Sequence, residues 1–66
     1  MNVIANGATI SLADGASVAE LLDAMGLTGR VVVVERNGEP IDRRQTHTTI
    51  LSEGDRCEVV RAVAGG

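Results

Sequence analysis

Between Ser17 and Gly26 the chain carries both the start and the stop signals of a helix. Ser17-Val18-Ala19-Glu20 has the spacing of a capping box, in which the Ser17 hydroxyl accepts from the Glu20 N–H and the Glu20 carboxylate reaches back to Ser17. Val18, Leu21, Leu22 and Met25 then recur at helical spacing, with Glu20 and Asp23 turned outward. Gly26 stands where a left-handed residue ends a helix, and Leu27 is placed to pack back on Leu22. The spacing predicts one helix over about 17–25. A single short helix must bury its apolar stripe against another layer, and in a 66-residue chain that layer has to be a sheet.

The rest of the chain reads as strands. Asn2–Ala5 and Ala8–Leu12 flank Asn6-Gly7, the two-residue signal for a type I′ hairpin. Ala8, Ile10 and Leu12 alternate with Thr9 and Ser11, a period that no helix satisfies. Val31–Arg36 is a third strand, stopped by Asn37-Gly38, with Val32 and Val34 under the helix and Val31 and Val33 on the opposite face beside Glu35. Glu39–Asp42 reads as a turn-rich connection, Asp42–Gln45 as one helical turn, and Thr49–Leu51 as a short edge strand at most. Ser52–Asp55 is a turn, and Arg56–Arg61 alternates again with Cys57 and Val59 inward. The order strand, strand, helix, strand, short strand, strand gives an α+β fold: one helix on a four- to five-stranded sheet. A single domain is expected, with a body over 1–62 and a tail over 63–66.

Composition removes several classes of function. With no Trp, Tyr or Phe and a net charge of −3, neither a basic patch nor aromatic stacking is available for nucleic acid. One cysteine and one histidine, Cys57 and His47, exclude an intramolecular disulfide and a His/Cys metal site. Cys57 reads as a small buried hydrophobe rather than a sulfur donor, His47 as a surface residue, and Arg43-Arg44 as a solvated turn. The longest apolar run, Val31–Val34, is far short of the ~20 residues of a bilayer span. Met1–Ile4 has neither the basic start nor the apolar stretch of a secretory signal, so the expected compartment is the cytoplasm. All six basic residues are arginine, and there is no Gly-x-x-x-x-Gly-Lys phosphate loop.

Chemistry is left to the chain's end. Gly65-Gly66 follows Val63-Ala64, and an extended tail of this length reaches about 13 Å beyond the last strand. Lacking Cβ, glycine fits a narrow channel and takes whatever φ the channel demands. Such a tail can carry a carboxylate into a buried site on another protein. Val31, Val33 and Val60 form a candidate docking face on the side of the sheet away from the helix.

Val34-Glu35-Arg36-Asn37-Gly38-Glu39, Arg43, Glu53-Gly54-Asp55-Arg56, Glu58-Val59-Val60 and the closing Ala62–Gly66 resemble the ThiS family, the sulfur carriers of thiamine (thiazole) biosynthesis. The likeness covers the whole chain. Its Asn-Gly-Glu and Glu-Gly-Asp turns are shared loosely with other ubiquitin-like sulfur carriers. The resemblance implies the β-grasp fold, with the last strand placed centrally beside the first and parallel to it. It also implies a protein co-substrate rather than an enzyme. Gly66 would be adenylated by an E1-like enzyme, ThiF, which uses ATP and Mg, and converted to a thiocarboxylate with sulfur from a persulfide donor. The sulfur would then pass to thiazole synthase, ThiG. Val63, Ala64 and Gly65 would thread the partner's channel, and the chain itself would hold no cofactor or metal. The alternatives are a molybdopterin synthase small subunit, a ubiquitin-like modifier joined to lysines through Gly66, and an interaction domain with an incidental Gly-Gly.

Overall fold

The computed structural model describes residues 1–62. Strands β1 (Asn2–Ala5) and β2 (Ala8–Ser11) form the first hairpin. Asn6 and Gly7 take φ of 50° and 81° at its turn. Positive φ at both central positions is what a type I′ turn requires, and its twist matches the paired strands. Helix α1 (Val18–Ala24) starts at Ser17, whose hydroxyl accepts from the Glu20 N–H at 3.2 Å while Glu20 Oε1 accepts from the Ser17 N–H at 3.2 Å. It ends in a Schellman pair: the Gly26 N–H donates to Asp23 O at 3.0 Å and the Leu27 N–H to Leu22 O at 2.9 Å. Gly26, at φ 75°, makes that ending possible.

Three further strands follow, β3 (Val32–Arg36), β4 (Glu39–Ile41) and β5 (Arg56–Arg61), with one 3₁₀ turn over Arg43–Gln45. The five-stranded sheet has the order β2-β1-β5-β3-β4. β5, last in sequence, lies at the centre of the sheet, parallel to β1 and antiparallel to β3. Alternation along the strands puts Val3, Ala5, Val34, Cys57 and Val59 under the helix, where they meet Val18, Leu21 and Leu22. The core has no aromatic ring, so its largest members are leucines.

Two expectations are corrected. Glu39–Ile41 is an edge strand rather than a loose connection, because Asn37 and Gly38 adopt φ of 51° and 85° and fold the chain straight back. Val34, Glu35 and Arg36 then pair with Ile41, Pro40 and Glu39. Proline is tolerated there because half of an edge strand's N–H groups face away from the sheet. Thr49–Leu51 forms no strand: a single antiparallel bridge joins Ile50 to Ser17. The Val18 N–H donates to Thr49 O and the Leu51 N–H to Ala16 O, both at 2.9 Å. Those two bonds moor the loop to the start of α1 and seat Leu51 in the core.

Candidate functional site

The end of β5 is the place to which the sequence assigns function, and the fold fixes that strand at three levels. At its base the Asp55 carboxylate is buried and accepts from Arg36 Nε at 2.8 Å, Asn37 Nδ2 at 3.1 Å and the Ser52 N–H at 2.8 Å. Burial alone would raise the Asp55 pKa, but these donors and the Arg36 charge outweigh it and hold it below the ordinary carboxylate value. At mid-height β1 pairs with β5 only through Ile4↔Arg56 and Ala5↔Cys57. The Asn6 side chain then takes over: Nδ2 donates to Val59 O at 3.0 Å, and Oδ1 accepts from the Val59 N–H at 2.7 Å. At the top, the Ala62 N–H donates to Val31 O at 2.9 Å. Val63, Ala64, Gly65 and Gly66, the tail assigned from the sequence, lie outside the described residues.

Asn6 has a second role that the sequence reading missed. A type I′ turn accepts Asn, Asp or Gly at this position. Among these, only the carboxamide carries both a donor and an acceptor, so only Asn can imitate the missing peptide group beside Val59.

Val33 and Val60 lie on the sheet face away from the helix, 56% and 62% exposed, whereas Val31, 52% exposed and just ahead of β3, also lines the groove beside α1, so the row expected from the sequence is not confined to one face. Val33 and Val60 are direct cross-strand partners, and Val31 continues the row toward Ala62. One step further from the strand's end, Glu35 and Glu58 stand directly opposite each other. Like charges so placed are destabilising, and among the described residues no cation lies within salt-bridge distance of either. The outer sheet face at the end of β5 is therefore an apolar row backed by an acidic pair. Alternation along the two strands carries the signal for that pair, but their register was not legible in the sequence.

The remaining candidates are structural or peripheral. Cys57 is buried, and its thiol pKa is pushed up by that burial and by the Asp55 charge, so the reactive thiolate is disfavoured. Arg44 holds Asp42 through two contacts of 3.2 and 2.8 Å at the surface. His47 is exposed at the edge of a groove below α1. Among the described residues no three His, Cys, Asp or Glu side chains gather as a metal site, and no helix is long and apolar enough to cross a membrane.

A helix packed on a mixed five-stranded sheet, with the last strand central and parallel to the first, defines a β-grasp domain. The chain belongs to the ThiS family, whose profile matches residues 2–66. It is 36% identical over 53 residues to the sulfur carrier protein ThiS of Bacillus subtilis, covering 80% of each chain. All 66 residues match a thiazole synthase of Paramagnetospirillum magneticum at 30% identity, and the chain spans only 20% of that protein's length. The crystal structure of the thiamine biosynthesis protein ThiS from Geobacter metallireducens superposes with a TM-score of 0.81 at 33% identity, covering both chains completely. A solution structure of a thiamine biosynthesis protein from the same organism gives 0.77 at 35% identity, covering all of this chain and 88% of the other.

Proposed function

We propose that this chain is a sulfur carrier of thiamine thiazole biosynthesis, and that Gly66 bears the sulfur. The observation that carries the reading is that the family match runs through residue 66, on a fold that directs its central strand toward that end. A free carboxylate is a poor electrophile, because a sulfur nucleophile would have to expel oxide. Attack of a Gly66 carboxylate oxygen on the α-phosphorus of ATP, with loss of pyrophosphate, turns that oxygen into a leaving group. The terminal sulfur of a partner's persulfide then attacks the acyl carbon and AMP departs. A thiol reductant cleaves the resulting sulfur–sulfur bond and leaves the terminal thiocarboxylate. Splitting one hard substitution into easier ones is the logic of covalent catalysis.

These steps need an adenylating enzyme of the ThiF type with ATP and Mg, together with a persulfide donor. The chain is their co-substrate and contributes position: its docking converts a random encounter into an oriented one, where effective molarities reach about 10⁵ M or more. Because loading consumes ATP, the carrier works in the cytoplasm. The acceptor is a thiazole synthase of the ThiG type. That choice is supported by the P. magneticum synthase, in which a segment similar to this whole chain forms a fifth of the polypeptide. Val63, Ala64 and Gly65 lead Gly66 into the partner's site, and Val31, Val33 and Val60 dock beside it.

Intact-mass measurement tests the reading. Incubation with ATP, a ThiF-type enzyme and a persulfide donor is expected to exchange one oxygen for sulfur at Gly66, dependent on ATP. An unchanged mass, or isopeptide adducts in its place, would overturn it. Val60→Asp puts a charge into the exposed valine row and is expected to raise the carrier's KM with the ThiF-type enzyme about tenfold or more. A loss of that size is typical of a charge buried in an apolar contact. The melting temperature should hold, since Val60 is 62% exposed. An unchanged KM would remove the valines from the docking face.

A further inference from the structure

The inner face of the sheet is wider than its helix. Five strands about 4.8 Å apart span roughly 19 Å, whereas one helix with its side chains is about 10 Å across. A seven-residue helix cannot cover both halves, and a chain without aromatic rings has no large side chain to fill what remains. The result is a groove of about 310 Å³ between α1, the loop leading into β3, and the 3₁₀ turn. Leu22, Val32, Val34 and Ile41 line it with apolar surface, and Arg30 and Arg43 border it from separate elements.

Charge at this groove runs against the rest of the molecule. The chain has nine acidic and six basic residues. Arg36 is held by Asp55 and Arg44 by Asp42; among the described residues no carboxylate lies within salt-bridge distance of the other four arginines, and two of these, Arg30 and Arg43, border the groove. The one carboxylate at the groove, Asp23, already accepts the Thr28 hydroxyl at 2.6 Å. An apolar floor with a charged rim is the anatomy of a protein-docking surface. Two free guanidinium groups around it favour an aromatic ring, through cation–π attraction, and carboxylates beside that ring.

We propose that this groove is a second docking site, taking an acidic segment of a partner protein that inserts one aromatic side chain between Arg30 and Arg43. It lies under the helix, on the other face of the sheet from Val33 and Val60, and meets the valine row only at Val31; it is independent of the sulfur chemistry, so its failure would leave the carrier reading untouched. An acetylated Glu-Trp-Glu amide is a suitable probe: the chain has no Trp, Tyr or Phe, so the fluorescence belongs to the peptide alone.

Titrating the full chain into the probe is expected to give a saturable blue shift of its emission. Arg30→Glu with Arg43→Glu should weaken binding about tenfold, the sum of two modest exposed charge contacts. The neutral Gln-Trp-Gln peptide should bind weakly, and about 1 M salt should suppress binding of the acidic one. Val60→Asp should leave it unchanged. Amide shifts in the unmodified chain, which need no variant to fold, should centre on residues 27–32 and 41–46. Absence of a saturable shift, equal binding of the neutral peptide, displacement by inorganic phosphate, or amide shifts centred on Val33 and Val60 would each overturn the proposal.

Discussion

A chain ending at Gly65 is expected to form thiocarboxylate at least about a hundredfold more slowly than the full chain, while melting at the same temperature. The truncated chain still ends in a glycine carboxylate, so nothing is lost in intrinsic reactivity. What changes is position: the acyl carbon falls about 3.5 Å short of where residue 66 would place it. In a site that works by alignment, even a 1 Å error can lower the rate about 10²-fold. Stability should not follow, because the core extends along β5 only to Val59 and the last backbone bond described is that of Ala62. Parallel measurement of ATP-dependent sulfur incorporation and thermal unfolding separates the two effects. Undiminished loading of the shortened chain would remove Gly66 from the chemistry. A lower melting temperature would make the chain's end part of the fold and not an instrument of transfer.

The two ends of the helix and the first hairpin were legible in the sequence because their determinants are local. Ser17 and Glu20, Gly26 and Leu27, and Asn6 and Gly7 each act within a few residues, and the structure uses every one of them as the spacing implied. The alternation of β5 was legible for the same reason: Cys57 and Val59 are buried and Val60 is exposed. β4 was missed although Asn37-Gly38 repeats the signal of Asn6-Gly7. The cause is that Glu39-Pro40-Ile41 has poor strand character of its own and becomes a strand only through the partner that the turn brings alongside. The Asn6 clamp on Val59 spans 53 residues, and the Asp55 contacts to Arg36 and Asn37 span 19 and 18. No local pattern encodes such pairings; they appear once register is fixed. The groove beside Arg30 and Arg43 was hidden for a related reason, since it arises from a mismatch of widths between two layers. At the candidate site, the alternation in the sequence placed Val33 and Val60 on the outer sheet face, whereas Glu35 and Glu58 gained meaning only when β3 and β5 set them opposite each other.

Replacing Asp55 by alanine is expected to produce the largest loss of stability of any single polar substitution in the described fold. Its carboxylate joins the β3–β4 hairpin, through Arg36 and Asn37, to the 52–55 turn, through the Ser52 N–H. Asp55 also stands at the foot of β5, where its backbone carbonyl accepts from the Ile4 N–H at 2.8 Å. Truncation leaves the Ser52 N–H and the Arg36 guanidinium without their partner in a partly buried site. Removing one side of such a charge-assisted set typically costs about 3 kcal/mol. Against the roughly 3–10 kcal/mol that holds a domain of this size together, that is a large fraction. It corresponds to a fall in Tm of about 10–20 °C.

The pH dependence identifies the charge as the agent. Asp55 has its pKa lowered in the folded state, so its contribution is fully present above the unfolded value of about 3.9 and is lost as pH falls through the folded value. Urea unfolding of the two proteins should therefore show a wide gap near neutral pH, and that gap should narrow progressively in acid below about pH 4. A gap that stayed constant across this range would mean that Asp55 acts through shape and neutral hydrogen bonds alone. Asp55→Asn, which keeps the shape and removes the charge, should share with the alanine variant the loss of the Asp55-dependent part of the acid profile while losing less stability at neutral pH.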